Sequence, residues 1–113
     1  MILCDTNIII ELFKDNLKVK RKCKELGVNN LAVSAITVGE FFYGAIDKKE
    51  MRRITQHLQL YKWIDINSSI SGIFIELMRL YSLSHKPFIG DMLIAATALH
   101  YDYKVFTFNT KDF

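Results

Sequence analysis

The sequence predicts an α/β domain in which a parallel sheet is flanked by helices. Short apolar runs alternate along the chain with longer segments whose apolar residues recur at helical spacing. Strand candidates that alternate with helix candidates are typical of βα units and a parallel sheet. At 113 residues, with one proline and five glycines, the chain is expected to form a single domain over residues 1–113.

The strand candidates are apolar runs bounded by polar residues or glycines. They cover residues 1–4, 31–33, 63–66 and 104–108. The helix candidates share a periodic apolar face, and they cover about 8–13, 17–26, 36–46, 48–60, 70–81 and 92–101. Ser34 is expected to cap the third helix, and Ser68 or Ser69 the fifth. The sixth helix is apolar almost all round, so we expect it to be central and buried, preceded by a loop over 85–90.

Composition excludes several classes of protein. No apolar stretch approaches the roughly 20 residues that span a bilayer, so we expect no membrane association. The first residues lack the pattern of a signal peptide, and Cys4 and Cys23 suggest no disulfide framework, which favours the cytoplasm. No serine-hydrolase or nucleotide-binding motif is present.

Positive charge is concentrated in two segments, although the net charge is only +3. The residues are Lys14, Lys18, Lys20, Arg21, Lys22 and Lys24 in the first segment, and Lys48, Lys49, Arg52 and Arg53 in the second. The segments are either solvated helix faces or contacts for nucleic-acid phosphates, and the sequence leaves both interpretations open.

Four acids stand where a strand ends or a helix begins, beside apolar runs. They are Asp5, Glu40, Asp91 and Asp112. Buried carboxylates repel one another unless a cation gathers them, so the set indicates a divalent-metal site. Carboxylate oxygens favour Mg²⁺ or Mn²⁺, and the histidines and cysteines form no zinc motif.

Each acid also has an ordinary structural explanation. Asp5 is suited to cap a helix, and Asp91 would be favoured by the dipole of the helix it opens. Glu40 could pair with one of the many basic residues, and Asp112 could be a surface acid. The metal hypothesis therefore depends on the combination of the four.

Four motifs, in this order and at these separations, resemble a known family. They are Asp5-Thr6-Asn7, then Glu40, then Asp91-Met92-Leu93-Ile94-Ala95-Ala96, and last Thr107-Phe108-Asn109-Thr110-Lys111-Asp112-Phe113. Over nearly its whole length the chain resembles the PIN domain, and within it the VapC-type ribonuclease toxins of toxin–antitoxin pairs. The resemblance implies a three-layer α/β/α sandwich with a central, mainly parallel sheet.

The resemblance also implies an activity and its residues. The expected activity is Mg²⁺- or Mn²⁺-dependent hydrolysis of RNA phosphodiester bonds by an endoribonuclease, with Asp5, Glu40 and Asp91 as catalytic metal ligands. Asn109 stands at the family's fourth acidic position and would be a weaker ligand, while Asp112 would hold a water in the outer shell. The supporting residues would be Thr6, Asn7 and Thr107.

The expected partners follow from the same resemblance. They are an RNA substrate such as tRNA or another structured RNA, a cognate antitoxin, and a second copy in a homodimer or a toxin–antitoxin hetero-oligomer. Aromatic residues that look exposed, such as Phe42, Tyr43 and Tyr61, would suit a partner surface. The main alternative is a non-catalytic PIN-like module that binds RNA or protein. A phosphoacceptor receiver domain ranks last, because such domains carry two adjacent acids where this chain has Asp5 followed by Thr6.

Overall fold

The computed structural model describes residues 1–108, which form four strands and six α-helices. The strands are β1 (Ile2–Cys4), β2 (Leu31–Ser34), β3 (Lys62–Ile64) and β4 (Lys104–Phe106). The helices are α1 (Thr6–Phe13), α2 (Leu17–Leu26), α3 (Ala35–Tyr43), α4 (Lys48–Leu58), α5 (Ser68–His85) and α6 (Ile89–Tyr101). A short 3₁₀ turn, Val28–Asn30, leads into β2. Every predicted strand and helix is therefore present, with shifts at some ends.

The four strands form one parallel sheet in the order β3-β2-β1-β4. Ile2 of β1 lies opposite Leu31 on one side and Lys104 on the other. The carboxyl ends of parallel strands meet at one edge of a sheet, and ligands of such folds bind outside that edge. Asp5 follows β1, one of the two central strands, so it lies in the middle of this edge.

Helices cover both faces of the sheet. Cys4, Leu31 and Val33 face one side, where they join a buried cluster with residues of α1, α2, α3 and α4. Leu3 and Ala32, their alternating neighbours, face the other side and pack against α6, which in turn packs along α5. Strands buried on both faces are expected of an all-parallel sheet. The three-layer α/β/α arrangement is confirmed.

Four helix starts differ from the prediction: α1 and α3 begin one or two residues early, and α5 and α6 differ in ways that concern their caps. Asn67 caps α5 by accepting a 2.9 Å bond from the amide of Ile70, so Ser68 and Ser69 fall inside the first turn. The sixth helix begins at Ile89, inside the expected loop, with Phe88 at its N-cap in an extended conformation. Pro87 stands just before this cap, where its missing N–H costs no helical hydrogen bond. The predicted caps at Ser34 and Asp5 are both confirmed.

Burial also departs from the prediction in places. The sixth helix is buried on one side only, since Ile89 and Leu99 are 64% and 62% exposed. Of the three aromatic residues expected at the surface, Tyr43 is exposed, Phe42 is half-buried and Tyr61 is buried. Tyr61 lies inside the α1–α4 cluster, a position that its own neighbours in sequence do not reveal.

The third and fourth strands are shorter than predicted because they extend only as far as their parallel partners. Strand β3 pairs with β2 over 62–64, and β4 pairs with β1 over 104–106. Within residues 1–108, no helix is long and apolar enough to cross a membrane.

Candidate active site

The three acids that the sequence singled out within residues 1–108 line a single open cleft. The cleft has a volume of about 490 Å³ and is bordered by Asp5, Thr6, Asn7, Ile10, Ile36, Gly39, Glu40, Tyr43 and Asp91. Its walls come from the end of β1, the first turns of α1 and α6, and one face of α3. The fold therefore assembles on one surface acids that are far apart in sequence.

Asp5 is fixed by two hydrogen bonds and is only 2% exposed. One carboxylate oxygen accepts from the backbone amide of Thr6 at 2.7 Å, which caps α1. The other accepts from the hydroxyl of Thr107 at 2.8 Å, just beyond β4. The capping role and a place in the cleft are thus compatible, since each oxygen retains a lone pair.

Glu40 is held by a short relay of hydroxyl groups. Thr6 Oγ1 donates to Glu40 Oε1 at 2.8 Å and lies 3.0 Å from Thr37 Oγ1. A hydroxyl has one proton, and Thr6 uses it toward Glu40, so Thr37 must be the donor to Thr6. The chain of hydrogen bonds from Thr37 through Thr6 to Glu40 orients an otherwise exposed carboxylate toward the cleft.

Thr37 was missed by the sequence analysis. It is fully buried and precedes Glu40 by three residues on α3, so both side chains lie on the same face of the helix. That spacing was the signal available. The ion pair considered for Glu40 does not form, because the salt bridges within the described chain involve other acids.

Asp91 enters the cleft from the first turn of α6, where a negative charge is favoured by the helix dipole. The preceding residue, Gly90, lies against Glu40: a Cβ atom built there would be 3.4 Å from Glu40 Oε2. Glycine at this position lets the carboxylate of Glu40 approach the start of α6, beside Asp91.

The thiol next to Asp5 adds no charge to the site. Burial, and to a smaller extent Cys23 and Asp5, raise the pKa of Cys4 to about 12. The thiol is therefore neutral at physiological pH and does not compete with the carboxylates as a thiolate ligand.

The chemistry of the cleft fits Mg²⁺ or Mn²⁺. Among the residues described, its lining offers three carboxylates, the amide of Asn7 and the hydroxyls of Thr6 and Tyr43, and it contains no imidazole or thiol. No three His, Cys, Asp or Glu side chains within 1–108 converge closely enough to enclose an ion by themselves. Mg²⁺ keeps several waters and needs only one or two carboxylates, so an open arrangement suits it.

The remaining predicted site residues have different outcomes. Asn7 lines the cleft, and Thr107 contacts Asp5 without lining it. Asn109 and Asp112 lie outside the described residues. Their proposed roles, like metal binding by the three acids, stay predictions.

The basic segments lie on the same side of the sheet as α1, which Asp5 caps, and α3, which carries Glu40. Helices α2 and α4 pack on the side of the sheet that carries α1 and α3. Lys20 of α2 pairs with Asp15 at 2.9 Å, and Arg53 of α4 lies over the ring of Phe13 at 4.9 Å from its centroid. The Lys20–Asp15 hydrogen bond lowers the pKa of Asp15, with Arg53 contributing at longer range.

Comparisons with known proteins point to one family. The family model described as PIN domain matches residues 2–113. Ribonuclease VapC1 from Methanocaldococcus jannaschii is 31% identical over 115 residues, an alignment that covers 99% of this chain and 78% of that protein.

Solved structures show the same likeness in three dimensions. A toxin–antitoxin complex from Klebsiella pneumoniae contains a chain with a TM-score of 0.84 and 31% identity, covering 100% of this chain and 90% of that one. The crystal structure of FitAcB from Neisseria gonorrhoeae gives a TM-score of 0.82 at 28% identity, covering 100% of this chain and 91% of that one.

Proposed function

This chain belongs to the PIN domain family, and on that premise we propose that it is an endoribonuclease that hydrolyses RNA phosphodiester bonds. The observation that carries the proposal is the cleft at the carboxyl edge of the sheet, which gathers Asp5, Glu40 and Asp91. A relative named as a ribonuclease, with 31% identity across almost the entire chain, supports the same reaction.

Asp5 and Asp91, with help from Glu40, would hold Mg²⁺ or Mn²⁺. The bound ion would lower the pKa of a water molecule and neutralise charge on the phosphate. The protein's part is to keep its carboxylates oriented. Thr107 and the amide of Thr6 fix Asp5, and the Thr6 hydroxyl fixes Oε1 of Glu40. Glu40 Oε2 is then available to accept a hydrogen bond from the attacking water.

The basic helices α2 and α4 would bind phosphates that flank the cleaved bond. Their lysines and arginines are exposed, and they lie on the layer that presents Asp5 and Glu40. Such contacts position RNA without reading its sequence, and they make affinity fall as salt rises. Structured RNAs such as tRNA are the substrates we propose, cut at accessible single-stranded positions.

We also propose a cognate antitoxin and a homodimer or toxin–antitoxin hetero-oligomer. The similar solved structures include a toxin–antitoxin complex from Klebsiella pneumoniae. Helices α5 and α6 and the turn between them expose large apolar side chains that suit a partner surface: Leu83, Phe88, Ile89 and Leu99 are 93%, 72%, 64% and 62% exposed.

One observation favours the alternative of a non-catalytic RNA- or protein-binding module. Within the part of the chain that the structure describes, the acids line the cleft without converging into a closed metal cage. A binding module would hold RNA with no dependence on a divalent ion, whereas the nuclease would require one for turnover.

The test is cleavage of labelled bulk tRNA with Mg²⁺ or Mn²⁺, alongside EDTA and an Asp91→Asn protein. Asp102→Asn is a matched control, because Asp102 ends the same helix in a left-handed conformation that asparagine adopts readily. Discrete products from the wild type and Asp102→Asn, but from neither EDTA nor Asp91→Asn samples, support the nuclease. Folded wild-type protein that binds tRNA without cutting it would instead support the binding module.

A further inference from the structure

Helix α3 turns one whole face toward the cleft. Ile36, Gly39, Glu40 and Tyr43 all line it, at the spacing that places side chains on one side of a helix. Tyr43 is 93% exposed at the last residue of α3. A large aromatic side chain so exposed contributes almost nothing to the core, so its place at the cleft calls for another explanation.

Gly39 has no explanation within the fold. Glycine is among the poorest helix formers, yet Gly39 lies inside α3. A Cβ atom built there would meet nothing within 4 Å, and its backbone does not have a positive φ. Gly90, by contrast, makes room for the carboxylate of Glu40. Space left open in a helix that faces a ligand cleft suggests that the ligand itself approaches the backbone.

Gly39 and Tyr43 are four residues apart on α3, so they lie on the same face of the helix, and both line the cleft. The open space at Gly39 and the exposed ring of Tyr43 are adjacent along this face, and we name the surface that they share the α3 shelf. Glu40 lies next to it and repels phosphate oxygens that no bound cation neutralises, so the sugar-phosphate backbone of a nucleic acid is disfavoured on this surface. A neutral, planar group suits it better.

We propose that the α3 shelf binds an unpaired base of the RNA substrate, stacked on Tyr43 and lying over Gly39. The inference deepens the proposed ribonuclease function and rests on it. It defines the substrate as RNA that is single-stranded next to the cleaved bond, since a paired base is already enclosed in a helical stack. Stacking on an aromatic ring tolerates any base, so this contact selects for unpaired structure rather than for sequence.

The test uses the complete chain and short RNA oligonucleotides that carry 2-aminopurine, a base whose fluorescence is quenched by stacking. Binding is followed in EDTA, and cleavage with Mg²⁺ or Mn²⁺ is followed in parallel. Tyr43→Leu removes the ring and keeps an apolar side chain, while Tyr43→Phe keeps the ring. Gly39→Ala fills the shelf, and Gly72→Ala is its matched control, because Gly72 lies in α5 outside the cleft and also has open space at Cβ.

We expect quenching with the wild type and Tyr43→Phe, and none with Tyr43→Leu or with the same RNA in a duplex. Tyr43→Leu should raise KM by about 5- to 150-fold, the range that base–aromatic stacking provides, with kcat unchanged. Gly39→Ala should raise KM several-fold. Both alanine variants should melt no lower than the wild type, and Gly72→Ala should keep the wild-type KM.

The possible outcomes distinguish a failure of the α3 shelf from a failure of the proposed ribonuclease function. Cleavage by Tyr43→Leu with wild-type KM and wild-type quenching would overturn the shelf and leave the nuclease intact. If that variant instead bound a protein partner more weakly than the wild type, Tyr43 would be reassigned to a protein contact. Quenching that depends on Tyr43, without cleavage under any metal, would support the shelf and overturn the nuclease. A folded wild type that neither quenches nor cleaves would overturn both.

Discussion

Substitution of Asp5 separates the structural role of this carboxylate from its proposed chemical role. Asp5 is 2% exposed and accepts two hydrogen bonds, from the amide of Thr6 and the hydroxyl of Thr107. Asp5→Ala removes both acceptors. Loss of the helix cap costs about 0.5–2 kcal/mol, and loss of a hydrogen bond to a charged group about 1.5–3 kcal/mol. The variant should therefore lose about 2–5 kcal/mol of its free energy of unfolding.

Asp5→Asn should behave differently. Its amide oxygen can still cap α1 through Thr6, and its amide nitrogen can donate to the oxygen of Thr107 once that hydroxyl turns. One negative charge also leaves a cleft shared with Glu40 and Asp91, which relieves repulsion. We expect a free energy of unfolding within about 1 kcal/mol of the wild type, or slightly above it.

Both substitutions should nevertheless abolish cleavage. The amide of Asp5→Asn is neutral and a poor ligand for a hard cation, so the expected loss is at least about 100-fold, more than that for a residue that only supports a ligand. A protein that is stable yet inactive is the signature of a residue with a chemical role.

The assay pairs urea denaturation in EDTA with cleavage of labelled tRNA. Asp15→Asn serves as the control acid, because Asp15 is exposed and pairs with Lys20, and asparagine suits its φ of 61°. It should stay stable and keep its activity. Cleavage by Asp5→Asn at the wild-type rate would refute a role of Asp5 in the chemistry. An Asp5→Asn protein as unstable as Asp5→Ala would show that the two hydrogen bonds were wrongly assigned.

Three further predictions address the surroundings of the site. Thr6→Val removes the hydroxyl that orients Glu40 and should lower kcat roughly 10-fold, whereas Thr6→Ser keeps a hydroxyl and should retain the wild-type kcat. Equal activity of the wild type and both variants would exclude the relay. Burial lowers the pKa of His57 in the folded protein. As pH falls below about 6.5, His57 is therefore protonated in the unfolded chain before it is protonated in the folded protein, and this favours unfolding. Stability should then fall from pH 7.5 to 5.5 by at most about 1.4 kcal/mol per pH unit, and His57→Gln should reduce this slope; an unchanged slope would contradict the assignment. Cys4 and Cys23 are free and buried, and burial raises the pKa of Cys23. Neither thiol should react with a disulfide reagent until urea unfolds the protein, and rapid labelling in buffer would show that the core is open.

The identity and order of the elements were predictable because their signals are local. An apolar run that ends at a polar residue marks a strand, and an Asp or Ser just before an amphipathic segment marks a helix start, as at Asp5 and Ser34. Where two local candidates compete, the prediction fails. Asn67 stands directly before Ser68 and reaches the amide of Ile70, so it takes the cap that the serines were expected to provide.

The acids of the candidate site were predictable from the sequence, but not all of the residues that hold those acids in place were. Asp5, Glu40 and Asp91 were recognisable from motifs and from their positions at strand ends and helix starts. Thr37 gave no comparable signal, because its role depends on contact with Thr6, which is 31 residues away in sequence.

The sequence by itself determined the α/β class, the family and which acids line the cleft, since these depend on periodicity and on short motifs. Only the tertiary structure decided how those acids are held and what surrounds them. The bond between Thr107 and Asp5 joins residues 102 positions apart, and the approach of Glu40 to Gly90 brings α3 against the start of α6. The physical reason is that orientation and exposure are set by neighbours across the fold. That is also why Tyr61 is buried while Tyr43 stands open at the cleft.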